Sequence, residues 1–295
     1  MTERSYHIGP NRFEATSIDA GLHVVATPIG NLGDITIRAL NVLAAADYIL
    51  CEDTRITSRL LERYGIRNTM KPYHEHNAEK VRPAIVAALQ DGKSFALVSD
   101  AGVPLVSDPG YRLVQSCIAE GLSVTGIPGA SATLTALALS GLPTDCFTFI
   151  GFLPQKSKAR IDLLLSFKKL PSTLIAFESP HRIIDALADV TTALGERPVA
   201  MARELTKLHE EVLRGTAHDV REILSARESV KGEIVLVIGP PQNEVEVIAE
   251  DDIERAITEA LRENAASKAA NIVAKNFNFK KENIYARILK RKGDV

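Results

Sequence analysis

The chain has 295 residues, 45% hydrophobic and 24% charged, with a net charge of −2 at pH 7. That is the balance of an ordinary globular chain of about two domains, at ~100–200 residues each, and it excludes a disordered, collagen-like or disulfide-stapled protein. No apolar run reaches the ~18–20 residues of a membrane span, so no membrane partner is expected.

Residues 1–20 are polar, carry Pro10 and several charges, and lack an apolar signal core. They read as a flexible N-terminal tail on a cytoplasmic protein. From residue 21 onward short apolar runs alternate with helical patterns. Strands are predicted over 22–27, 48–51, 95–99 and 123–127. Helices are predicted over 36–46, 57–64, 78–90, 111–120 and 131–140. Near-continuous apolar strands between helices argue for an α/β domain with a largely parallel sheet over 21–140. Gly141-Leu-Pro143 breaks the pattern, and a second α/β domain is expected over 141–240. Its strands fall at 147–150, 173–178, 199–203, 212–214 and 233–238, its helices at 160–167, 182–194 and 217–226. The strands at 199–203 and 212–214 have no helix between them, which predicts a mixed sheet.

Gly239-Pro-Pro-Gln-Asn243 ends the second domain, and an acidic stretch over 244–254 leads into helices at 251–263, 267–275 and 282–291. Short helices joined by brief polar turns suggest a helix-turn-helix-like module over 245–295. Residues 266–295 hold eight Lys or Arg against two acids, a net charge of +6, while the other 265 residues sum to −8. A basic terminus on an acidic body predicts a polyanion-binding module, with Lys268, Lys275, Lys280, Lys281, Arg287 and Lys290 as candidate RNA contacts. Cys51, Cys117 and Cys146 lie apart in apolar stretches and are expected as buried reduced thiols.

Three turns rich in Gly and Pro follow predicted strands: Ala26-Thr-Pro-Ile-Gly-Asn-Leu32, Asp100-Ala-Gly-Val-Pro-Leu-Val-Ser-Asp-Pro-Gly110 and Pro128-Gly-Ala-Ser-Ala132. Ligands of parallel α/β sheets bind at the carboxyl ends of strands, so these turns mark one pocket rim. None is a GxGxxG or a GxxxxGK[ST]. A ligand without phosphates, held by backbone amides and one carboxylate, fits better than a dinucleotide or a nucleoside triphosphate. His74-Glu-His76 offers two imidazoles on one side of an extended segment, too few for a structural zinc site, and no metal is expected.

These turns, with Cys51-Glu-Asp-Thr-Arg55, His74-Glu-His-Asn77, Gly151-Phe-Leu-Pro154, Glu178-Ser-Pro-His-Arg182 and Ala202-Arg-Glu-Leu-Thr-Lys207, resemble the ribosomal RNA small subunit methyltransferase I family of the tetrapyrrole methylase superfamily. The resemblance covers roughly residues 21–292. It implies two α/β domains of the class III S-adenosylmethionine methyltransferase type, with the cofactor in the cleft between them, and a homodimer. It implies a substrate too: the ribose 2′-hydroxyl of a decoding-centre cytidine in 16S rRNA of the small ribosomal subunit. It carries cofactor contacts to Pro28, Asp100, Ala101, Gly102, Ser131 and Ala132, and more loosely to Phe177 and Leu205. Family members read Thr where this chain has Val103, so no polar role is expected there.

Methyl transfer to a hydroxyl needs in-line orientation and benefits from a base. Asp100, Glu52, Asp53 and Glu204 are the candidate bases, with His74 and His76 behind them. Lys207 or Arg203 would steady a developing alkoxide or hold a phosphate. Two other readings stand beside this one: a superfamily methyltransferase acting on a tetrapyrrole or a protein, and a non-catalytic rRNA-binding assembly factor. The basic terminal module opposes the first, and the complete set of cleft turns opposes the second.

Overall fold

The computed structural model describes residues 4–105, 110–241, 250–277 and 279–293. The chain divides into two compact units, Met1–Pro241 and Gln242–Val295. The first opens with an antiparallel hairpin of β1 (Ser5–Ile8) and β2 (Asn11–Glu14). The expected loose tail is thus corrected over residues 4–14. Tyr6 and Phe13 are register partners whose rings stack at 5.5 Å. Tyr6 is buried and joins a cluster with Ala39 and Leu43, while Arg4 pairs with Asp47 at 2.9 Å. Four residues per strand are too few to show as a periodic pattern, yet the shared aromatic pair is enough to dock them.

The first sheet holds β3 (Gly21–Val25), β4 (Tyr48–Cys51), β5 (Met70–Pro72), β6 (Ser94–Leu97) and β7 (Val124–Ile127). They are parallel, in the order β5-β4-β6-β3-β7. Connecting them are α1 (Ile37–Ala45), α2 (Thr54–Arg63), α3 (Ala78–Gln90) and α4 (Tyr111–Ala119). Alternate strand residues serve opposite faces. Val25, Ile49 and Ala96 meet the α1 and α2 side, whereas Leu22, Leu50 and Phe95 meet the α3 and α4 side. A sheet covered on both faces is why these strands read as unbroken apolar runs.

Helix α5 (Ala132–Ser140) begins at Ser131, whose side chain accepts from the Leu134 N–H, and ends at Gly141 in a left-handed conformation. The second sheet follows: β8 (Phe147–Phe152), β9 (Thr173–Glu178), β10 (Pro198–Arg203), β11 (Glu211–Thr216) and β12 (Ile234–Ile238), in the order β11-β10-β12-β9-β8. Only β8 and β9 run parallel, so the sheet is mixed. Helices α6 (Ser157–Ser166), α7 (Ile183–Leu194) and α8 (Ala217–Ser225) cover one face through Leu164, Leu187 and Val220. The other face receives Ala136 and Leu137 of α5 against Ile175, Ala200 and Val237. Cys51 and Cys117 are buried, but Cys146 is exposed, because it sits in the turn ahead of β8.

In the second unit α9 (Glu250–Glu263), α10 (Ala266–Asn276) and α11 (Lys281–Gly293) close on Ile253, Ile257, Val273, Ile284 and Ile288. Residues 245–249, 278 and 294–295 of the expected module lie outside the described residues. Among the described residues no helix is long and apolar enough to cross a membrane.

Candidate cofactor cleft

The described parts of the three turns meet. The backbones of Thr27 and Gly102 exchange hydrogen bonds at 2.8 and 3.0 Å, and the Thr27 hydroxyl donates to the Ser99 carbonyl at 3.2 Å. Gly102 has φ +78°, and a Cβ there would stand 3.2 Å from Ile29. A Cβ on Gly129 would stand 3.0 Å from Ala26, so the third turn packs on the first. Residues 106–109 of the second turn lie outside the described residues. Between these turns and the ends of β9 and β12 is a cavity of about 520 Å³.

Of the expected cofactor contacts, Asp100, Ala101, Gly102, Ser131, Ala132, Phe177 and Leu205 line the cavity, and Pro28 does not; its neighbour Ile29 takes that place. The walls are completed by residues that sequence reasoning missed, chiefly Phe152, Ser179, Pro180 and the segment from Gly232 to Val235. Phe177 meets Phe149 and Phe152 edge-on at 5.0 and 5.3 Å, which fixes its ring as a wall. Gly232, at φ +94° just before β12, was the one local sign of that last segment.

The five residues expected to carry chemistry part company. Asp100 and Glu52 line the cavity; Asp53, Glu204 and Lys207 do not. Asp53 caps α2 by accepting from the Arg55 N–H at 2.8 Å, and Arg55 also grips its carboxylate through the side chain. That grip, with the capping bond, holds Asp53 down to about 2. Burial pushes the Asp100 carboxyl above its ordinary value, and the Asp53 charge adds to this. The Asp53 N–H, donating at 3.2 Å, and Arg55 oppose it.

Glu204 accepts from Lys207 Nζ at 2.9 Å and from the Glu233 N–H at 3.0 Å, and these bonds lower its pKa. Burial acts to depress the Lys207 ammonium, but hydrogen bonds to Glu204 and Glu233 outweigh it and raise the group. Glu204 and Thr206 both have positive φ, +52° and +65°. The Glu204–Lys207 pair therefore shapes a tight turn that presents Leu205 to the cavity instead of offering a base to it. Arg203 is bound to Glu211 at 3.1 Å.

A sequence profile for tetrapyrrole (corrin/porphyrin) methylases matches residues 21–221. The chain is 49% identical over 286 residues to the ribosomal RNA small subunit methyltransferase I of Mesorhizobium japonicum, covering 97% of each chain. This chain belongs to the ribosomal RNA small subunit methyltransferase I family. It is 42% identical over 274 residues to the member from Escherichia coli O157:H7, covering 92% of this chain and 96% of that one. Among solved structures, a diphthine synthase superposes with a TM-score of 0.58 at 15% identity over 74% of this chain and 89% of its own. A cobalt precorrin-4 methyltransferase gives 0.53 at 18% identity, over 74% and 94%. Both show the tetrapyrrole methylase fold.

For a member of this family the donor set of the cleft is informative. Ile29, Phe177, Leu205 and Val235 supply apolar walls, and the ionisable lining residues are Glu52, Asp100, Glu178 and Glu233. Among the described lining residues there is no Lys, Arg or His. Such walls suit a nucleoside that carries positive charge and no phosphate. In the second unit Lys268, Lys275, Lys280, Lys281, Arg287 and Lys290 are all exposed. The His74 and His76 rings stand 6.0 Å apart in an edge contact, and neither lines the cavity.

Proposed function

We propose that this protein transfers a methyl group from S-adenosylmethionine to the ribose 2′-hydroxyl of a decoding-centre cytidine in 16S rRNA, acting as a homodimer on the small ribosomal subunit in the cytoplasm. The observation that carries the reading is the convergence of the strand-end turns on one cleft whose only ionisable lining groups, among the described residues, are carboxylates. The cofactor fits this donor set, being a cationic nucleoside without phosphates. Asp100, Ala101 and Gly102 on one side and Ser131 and Ala132 on another would hold it, with Phe177 and Leu205 against its apolar parts. The relatives' shared name supports rRNA as the acceptor.

When bound, the cofactor supplies a methyl group already activated by its sulfonium. The protein's task is then to hold the acceptor oxygen in line, an effect worth ~7–11 kcal/mol. The turns joined at Thr27 and Gly102 and the wall set by Glu204 and Lys207 give the rigidity this requires. Asp100 is the assigned base: its raised pKa makes it a better proton acceptor than an ordinary aspartate, a gain of ~10²–10⁴-fold when well placed. Glu52 is the other carboxylate within the cleft that makes no ion pair among the described residues. Neither Lys207 nor Arg203 is free to steady an alkoxide, since both are paired with glutamates. The exposed lysines and Arg287 of the second unit would meet rRNA phosphates.

A tetrapyrrole or protein acceptor remains the rival within the fold, and a non-catalytic assembly factor the rival outside it. The experiment is methyl transfer from labelled cofactor to purified 30S particles, beside a tetrapyrrole and a ribosome-free protein extract, with D100N as control. Label in 16S rRNA that D100N largely abolishes is the expected result. Cofactor binding with no transfer to any acceptor would favour the assembly factor.

A further inference from the structure

Four carboxylates line the cleft, but they are not equivalent. Glu178 is bound to Arg182 at 2.7 Å, and Glu233 to Lys207 at 3.1 Å. Arg182 compensates Glu178, and Lys207 is shared between Glu233 and Glu204; neither cation lines the cavity. Asp100 accepts only a backbone N–H, and Glu52 makes no ion pair among the described residues. Opposite them stand apolar walls, Ile29, Phe177 and Leu205. The cavity therefore presents net negative charge against an apolar wall, where a charge is screened less than in bulk water.

Resting on the cofactor assigned above, we infer that Glu52 and Asp100 sense the charge of the ligand: the cleft binds the cationic methyl donor in preference to the neutral product it becomes. Methyl transfer breaks the carbon–sulfur bond and leaves its electron pair on sulfur. The methyl carbon bonds to the acceptor oxygen as the hydroxyl proton leaves to a base. The ligand thus loses one unit of positive charge, while its nucleoside and amino-acid parts stay the same. A site built on carboxylates loses affinity at that moment, which favours product release and blunts product inhibition. The same field repels RNA phosphates, so the acceptor strand must be drawn in by other surfaces and presented hydroxyl first.

The test is calorimetric titration of the full chain with S-adenosylmethionine, S-adenosylhomocysteine and sinefungin, whose amine keeps the positive charge without a transferable methyl. Wild-type protein should bind both cations about tenfold or more tightly than the neutral product. E52Q should reduce that preference several-fold by weakening the cations alone. The wild-type preference is itself read without any substitution, so a variant that folds poorly does not decide the matter. Equal affinity of the wild type for all three ligands would overturn the inference while leaving the cofactor assignment intact. Binding of none of them would overturn both. Uniform weakening of all three by E52Q, with the preference unchanged, would make Glu52 merely structural and also defeat it.

Discussion

The backbone N–H of Asp53 donates to the Asp100 carboxylate at 3.2 Å, tying the strand end of β4 to that of β6. This contact separates two neighbouring acids. Asp53 is capped and gripped by Arg55 and stays ionised, whereas Asp100 is desolvated and titrates higher than usual.

From that difference comes a pH dependence. A base works only when ionised, so transfer at saturating cofactor should fall as pH drops through the raised Asp100 value, above the ordinary 3.8. Asp53, held at about 2, contributes no such limb. D100N should lower kcat by ~10²–10⁴-fold and remove the limb. The folded state binds this proton more tightly than the unfolded chain. Its ionisation therefore costs stability as pH rises, and D100N should not lower Tm at pH 7. Steady-state rates across pH, beside thermal melts, check both statements.

Glu211 gives the opposite sign. Arg227 grips it at 2.6 Å and Arg203 at 3.1 Å, and these bonds, Arg227 foremost, hold it down to about 2. The stabilisation is complete above the ordinary 4.5 and is lost as pH falls towards about 2. With its partial exposure discounted, E211Q should cost roughly 1 kcal/mol at pH 7 and nearly nothing at the acid end. Urea unfolding at several pH values measures this. A cost that grows on acidification would contradict it.

Two glycines separate strain from contact. Gly92 and Gly232 both have positive φ, +80° and +94°. A Cβ on Gly92 would meet nothing within 4 Å, while one on Gly232 would sit 2.4 Å from Glu204 Cγ. G92A should cost about 1–2 kcal/mol from backbone strain alone. G232A should cost more and also weaken cofactor binding, because it displaces the Glu204 side chain that holds the loop presenting Leu205. Melting curves and cofactor titration of the two variants tell them apart.

The parallel sheet was legible because both its faces are covered, which leaves strands such as β3 and β6 mostly apolar, with His23 and Ser94 as the exceptions. Strand β5 was not: three residues ending in Pro72 carry no period. The hairpin over residues 5–14 escaped for a similar reason, its evidence being one aromatic pair across a Gly9-Pro10 turn. At the cleft, glycine-rich strand ends were readable as ligand-facing. Glu204 and Lys207 looked chemical because a sequence shows charge but neither the positive φ nor the ion pair that occupies it. Residues 232–235 were hidden because a wall made of backbone and β-branched side chains leaves no chemical signature.

The two units suggest a division of labour. Removing residues 245–295 should leave cofactor affinity unchanged, since every residue lining the cavity lies before Pro241. It should strongly weaken methylation of 30S particles. Charge-neutralising Lys268, Lys275, Lys280 and Lys281 to Gln should weaken RNA binding and flatten its salt dependence. Calorimetry and filter binding at several salt concentrations read the two effects separately.

The most direct measurement is nucleoside-resolved mass spectrometry of 16S rRNA from 30S particles incubated with the full chain and cofactor bearing a deuterated methyl. The account predicts the label in a single 2′-O-methylcytidine of the decoding region, and its loss with D100N. Label on a base, label scattered through the RNA, or unlabelled rRNA beside a methylated tetrapyrrole or protein would contradict it.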